Sequence, residues 1–130
     1  MTYRKGPKNV NQKAAKTVAT IDDLVKIHGV VIAFEFAPDG TLTKYKANVE
    51  APLELAAMAA QFCASITMNF NTLASAFTKL NTMPWMPQKG WTYSGGEFTA
   101  ISGGGGYMGV FVDTDKADFN RLFDILLVNP

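Results

Sequence analysis

Hydrophobic and polar positions divide the chain into eight elements. Thr20-Ile21-Asp22-Asp23 opens the first. Thr20 suits a helix N-cap, and Asp22 and Asp23 fall in the first turn, where the helix dipole favours negative charge. Ile21, Leu24, Val25, Ile27 and His28 give that helix its apolar face, and Gly29 its stop. Val30–Ala37 (VVIAFEFA) is β-branched and aromatic and predicts a strand. Pro38-Asp39-Gly40 is a turn, and Thr41–Val49 a second strand. Leu42 alternates onto one face of it and Tyr45 and Ala47 onto the other, which predicts a bulge or an early end. Lys44 and Lys46 suit an exposed or edge strand.

The dominant element is a helix from about Pro52 to Leu80–Thr82, which Pro84 and Pro87 forbid to continue. Between Glu54 and Lys79 it carries no charge. Leu55, Ala59, Phe62, Ile66, Phe70, Leu73, Phe77 and Leu80 form one apolar stripe, expected to cover a sheet. The other face carries Ala56, Ala60, Ala64, Thr67, Asn71 and Ala74, where a solvated helix would carry Lys or Glu. That face is expected to meet a second protein surface. Three strands follow, Gly90–Ser94, Glu97–Ser102 and Tyr107–Val112, joined by Gly95-Gly96 and by Gly103–Gly106. The last is apolar on both faces and reads as central. A helix over Lys116–Val128 closes the chain, with Phe119, Leu122, Phe123, Ile125 and Leu126 inward.

Composition narrows the picture. At 130 residues the chain is long enough for one domain with a real core. Charged residues make up 18%, below the usual quarter or so of a soluble monomer. The net charge of +1 hides an asymmetry. Residues 1–19 hold Arg4, Lys5, Lys8, Lys13 and Lys16 and no acid, whereas 20–130 holds seven bases against eleven acids. This predicts a basic flexible tail, solvated in preference to acting as an electrostatic hook, before a mildly acidic domain. It argues against a nucleic-acid-binding role. There is no apolar run of signal-peptide length, and Gln61, Asn69 and Asn71 make 55–78 a poor membrane span, so a soluble cytoplasmic protein is expected.

No constellation for chemistry emerges. The only Cys/His pair is Cys63 and His28, with the thiol in apolar company where thiolate is disfavoured. A lone histidine excludes a His-rich metal site. Asp113, Asp115 and Asp118 surround a helix start, where acids serve as caps. Gly103–Gly106 leads into Tyr107 and a strand, whereas a phosphate loop opens a helix. Catalytic, cofactor and metal sites are therefore expected to be absent. Trp85, Met86 and Trp91 either fold over the core edge or, for Trp85 and Met86, anchor a partner.

The element order resembles the Roadblock/LC7 family, and within it the uncharacterised bacterial branch DUF2173. The likeness is carried by Ile21–Val30 (IDDLVKIHGV), the hairpin at 32–46 with its PDG turn, the Ala/Met-rich helix from Glu54, Gly109-Val110-Phe111-Val112, and Ala117–Phe123 (ADFNRLF). It covers roughly residues 20–128. The resemblance implies an α+β fold, a five-stranded antiparallel sheet with a long helix and flanking helices. It implies a homodimer joined through the long helix and the edge strand 90–94, here by Ala56, Ala60, Ala64, Thr67, Asn71, Trp91 and Tyr93. It implies a non-enzymatic scaffold or regulatory adaptor, with small Ras-like GTPases as a partner class. The linker 83–91 departs from a generic member. The alternative from another class is a small-ligand sensor with an apolar pocket around Met58, Phe62, Met68 and Trp85.

Overall fold

The computed structural model describes residues 20–127. The basic tail expected over 1–19 lies outside them. The elements are α1 (Ile21–Leu24), β1 (Val30–Phe36), β2 (Leu42–Ala47), α2 (Leu53–Asn81), β3 (Trp91–Gly95), β4 (Phe98–Gly103), β5 (Met108–Asp113) and α3 (Phe119–Leu126). The strands form one antiparallel sheet in the order β2-β1-β5-β4-β3, with β5 central and β2 and β3 at the edges.

Two of the end helices are shorter than their sequence pattern. Thr20 and Asp23 form a reciprocal capping box that starts α1. The helix nonetheless ends at Leu24, well before Gly29. The Asn48 amide donates to the Val25 carbonyl at 2.7 Å and to the Val30 carbonyl at 2.9 Å. It thus takes an oxygen that a longer helix would need, and residues 26–30 continue as three-residue turns. The closing helix starts at Phe119, because Asp118 caps it by accepting from the Arg121 amide.

The sheet is covered on both faces. On one, α1 and α3 pack Ile21, Leu24, Leu122 and Leu126 against Val30, Ala33, Ile101, Val110 and Val112. On the other, α2 lies over Ile32, Phe34, Phe36 and Trp91, with Tyr45, Ala47 and Phe111 beside them. The register shift opposite Glu35/Phe36 is the expected bulge. It brings Leu42 onto the same face as Tyr45 and Ala47.

The rotation of α2 differs from expectation. Ala56 and Ala60 have no exposed surface, and Cys63, Ala64, Thr67 and Ala74 are buried with them. The small-residue face therefore lies on the chain's own sheet. The large residues of the apolar stripe turn outward: Leu55, Phe62, Leu73 and Leu80 are exposed, and Phe62 retains 64% of its surface. The cause is volume. The sheet already supplies aromatic rings, and interiors are close-packed, so a helix seated on large side chains presents small ones.

Candidate interaction surface

A helix of 29 residues spans about 43 Å, while strands of five to seven residues span about 17–23 Å. The helix must overhang the sheet. Its N-terminal half sits on β1 and β2, with Gln61 and Ala64 against Gly40 in the β1–β2 turn. Thr67 marks the sheet's end. The Trp91 indole N–H donates to Thr67 Oγ1 at 2.8 Å, and Thr67 Oγ1 donates to the Gly106 carbonyl at 2.7 Å. The Ser102 hydroxyl donates to the same carbonyl. Gly106 has φ +101°, and a Cβ there would lie 2.4 Å from Thr67 Cγ2. The glycine run is thus a β4–β5 turn shaped to let the helix approach.

Beyond Thr67 the helix rests on residues 82–90, a strap that runs back beneath it. Gln88 Nε2 donates to the Thr67 carbonyl at 3.1 Å and to Asn71 Oδ1 at 2.8 Å. The Trp85 amide donates to Thr78 Oγ1, and its ring packs on Phe77 with centroids 5.2 Å apart. Among the described residues no donor reaches Gln88 Oε1, which is buried. The strap is therefore the weaker of the two supports of α2.

The expected interface residues separate into two groups. Ala56, Ala60, Ala64 and Thr67 are buried in the core, and Trp91 is 8% exposed with its N–H satisfied. Asn71 is half-buried and bonded to Gln88. These six are not available to a second protein, which corrects their assignment to an outer face. Tyr93 is 67% exposed on the edge strand. Trp85 and Met86 are half-exposed on the strap, accessible yet packed from below. Leu55, Phe62 and Leu73, expected to cover the sheet, Met58, expected in a pocket, and Phe98, given no role, are instead about half-exposed or more. Their signal was present: a stripe of large apolar residues with no charge on either flank. The pocket expected around Met58, Phe62, Met68 and Trp85 is not formed among the described residues, since the first three are more than half exposed on the outer surface of α2.

The two sheet edges differ in character. β2 carries Lys44 and Lys46, and Lys46 pairs with Asp22 at 3.0 Å. Charges of this kind discourage edge-to-edge association. β3 reads Trp-Thr-Tyr-Ser-Gly and carries none. Tyr93 lies over Gly95, where a Cβ would meet its hydroxyl oxygen at 3.0 Å, so its ring rests on the glycine.

The groups weighed for chemistry have structural partners. Burial pushes the Cys63 thiol up to about 11. The Asp113 side chain accepts from the Asp115 amide, and Asp118 caps α3. A cleft of about 470 Å³ opens between the α1 end and α3, lined by Lys26, His28 and Arg121 with Asp23 and Asp118. Both aspartates are engaged as caps, and hydrogen bonds from Thr20 hold the Asp23 carboxyl below its usual range. Among the described residues no three His, Cys, Asp or Glu side chains gather as a metal site, and no helix is long and apolar enough to cross a membrane.

Comparison with known proteins agrees with this architecture. A solved Roadblock/LC7 domain from Streptomyces avermitilis superposes with a TM-score of 0.64, covering 81% of this chain and 83% of that one. At 13% identity the likeness is one of fold. No curated protein matches the chain. The model of the family described as "Uncharacterized conserved protein (DUF2173)" matches residues 20–127. With five antiparallel strands, a long helix on one face and a match over nearly all its length, the chain belongs to the DUF2173 family and has the Roadblock/LC7 fold.

Proposed function

We propose that the chain is a cytoplasmic, non-enzymatic scaffold or regulatory adaptor that acts as a homodimer, with small Ras-like GTPases as the partner class that the family resemblance implies. The observation that carries this reading is the outward-facing row of large apolar side chains on α2, beside an edge strand without charge. Contiguous exposed apolar surface of this kind marks protein contact. A second copy supplies the same uncharged helix and the same open edge, so a two-fold contact satisfies both at once. Solution mass by light scattering tests it. Wild type is expected at twice the 14.1 kDa chain mass, and Tyr93→Lys, which places a charge on the open edge, at the chain mass. A wild-type monomer at concentrations of tens of micromolar contradicts the dimer.

A further inference from the structure

We infer that the cleft between the end of α1 and α3 binds a small zwitterion with an apolar side chain, of the amino-acid class. The cleft lies on the face of the sheet opposite α2, apart from the surface proposed for association. Its charged groups come from two segments that the fold brings together. Asp23, Lys26 and His28 lie along α1 and the turns that follow it, and Asp118 and Arg121 stand at the start of α3. The rim thus holds two cations and two carboxylates, and its formal charge is zero with His28 neutral.

Both signs are open to a ligand. The Lys26, His28 and Arg121 side chains have no ion pair or hydrogen bond among the described residues. Asp23 accepts from the Thr20 amide and hydroxyl through Oδ2 alone, each at 3.1 Å. Asp118 accepts from the Arg121 amide through Oδ1 alone. As caps, the two aspartates therefore each keep a second oxygen without a donor among the described residues. Ile27, which is buried, and Ile125, which is half-buried, complete the lining with apolar surface. A simple anion would face the two aspartates as well as the two cations, and a simple cation would face the reverse. A ligand with both signs pairs with each. Its carboxylate suits the Arg121 fork and Lys26, its ammonium the free aspartate oxygens, and an aliphatic side chain the two isoleucines. The volume of about 470 Å³ has room for such a molecule.

Leucine and two analogues test the charge pattern. Isoamylamine is leucine without its carboxylate, and isocaproate is leucine without its ammonium. Each is titrated into the full chain and followed by backbone amide NMR shifts. Leucine is expected to bind in the millimolar range or tighter and to shift amides at residues 23–28 and 118–125. Each analogue should bind about ten-fold more weakly, for want of one charge-assisted pair. Arg121→Gln should weaken leucine and isocaproate and leave isoamylamine unchanged. Asp118→Asn keeps α3 capped, because asparagine caps equally well. It should weaken leucine and isoamylamine and leave isocaproate unchanged. Either analogue binding as tightly as leucine, displacement of leucine by an equal concentration of inorganic phosphate, or millimolar leucine that leaves the cleft amides unshifted overturns the inference. None of these outcomes bears on self-association, which solution mass reads separately.

Discussion

Thr67 is the residue on which the helix, the edge strand and the β4–β5 turn converge. Its hydroxyl accepts from the Trp91 indole and donates to the Gly106 carbonyl, both in a fully buried setting. Thr67→Val keeps the shape and removes both bonds, which leaves the indole N–H buried without an acceptor. Urea denaturation should show a loss of about 1–3 kcal/mol, the range for an orphaned buried donor. Trp91→Phe in the Thr67→Val background removes that donor and should cost less than the two single changes together. Cys63 gives a second residue-level test. Its thiol is held protonated by burial, with its pKa raised from 9.0 to about 11. Unfolding returns it to the ordinary value, so the unfolded chain binds fewer protons between those values. Stability from this group is complete below pH 9 and declines as pH rises toward 11. A thiol reagent at pH 8 should therefore react slowly with the native protein and with one equivalent after denaturation. Rapid native reaction would place Cys63 outside the core.

At the scale of elements, the strap over residues 82–90 is the part of α2's support that can yield. Gln88→Leu removes both donated bonds to the helix, at the Thr67 carbonyl and Asn71, while leaving the Thr67 hydroxyl's bond to Gly106 intact. It should raise hydrogen exchange in residues 82–90 and in the last turns of α2, with a loss of global stability of about 1–2 kcal/mol. Equal acceleration across the sheet would mean that the strap is part of the main cooperative unit. The elements themselves were legible in the sequence because their signals are local. Pro38-Asp39-Gly40 fixes a turn wherever it stands, and Tyr107–Val112 is apolar on both faces because it is central. The α1 end was not legible, because the competitor for Val25's carbonyl is Asn48, on the far side of a hairpin. The facing of α2 was not legible for a related reason. A helical pattern reports how large each arc is, whereas the choice of inner arc depends on the volume that Phe34, Phe36 and Trp91 already occupy below it.

At the scale of the molecule, the fold is a sheet with one closed face and one face that is finished only in part. Beneath α1 and α3 the core is sealed by Leu122, Val110 and Val112, none of which is exposed. Across α2 the inner seal is made of alanines, and the large apolar groups remain outside, where a second surface can bury them. The stretch without charge between Glu54 and Lys79 motivates the proposed association whichever arc faces inward. The position of the contact does depend on it. The most direct measurement is a paired one, on Phe62→Glu and Ala60→Glu, recording melting temperature and solution mass for both. The account predicts that Phe62→Glu melts close to wild type and loses self-association, because the new charge stands on the outer surface. It predicts that Ala60→Glu is strongly destabilised, by about 3 kcal/mol or more, because an unpaired carboxylate is forced between helix and sheet. A folded, dissociated Ala60→Glu beside an unfolded Phe62→Glu would contradict it, and would put the small-residue face of α2 on the outside.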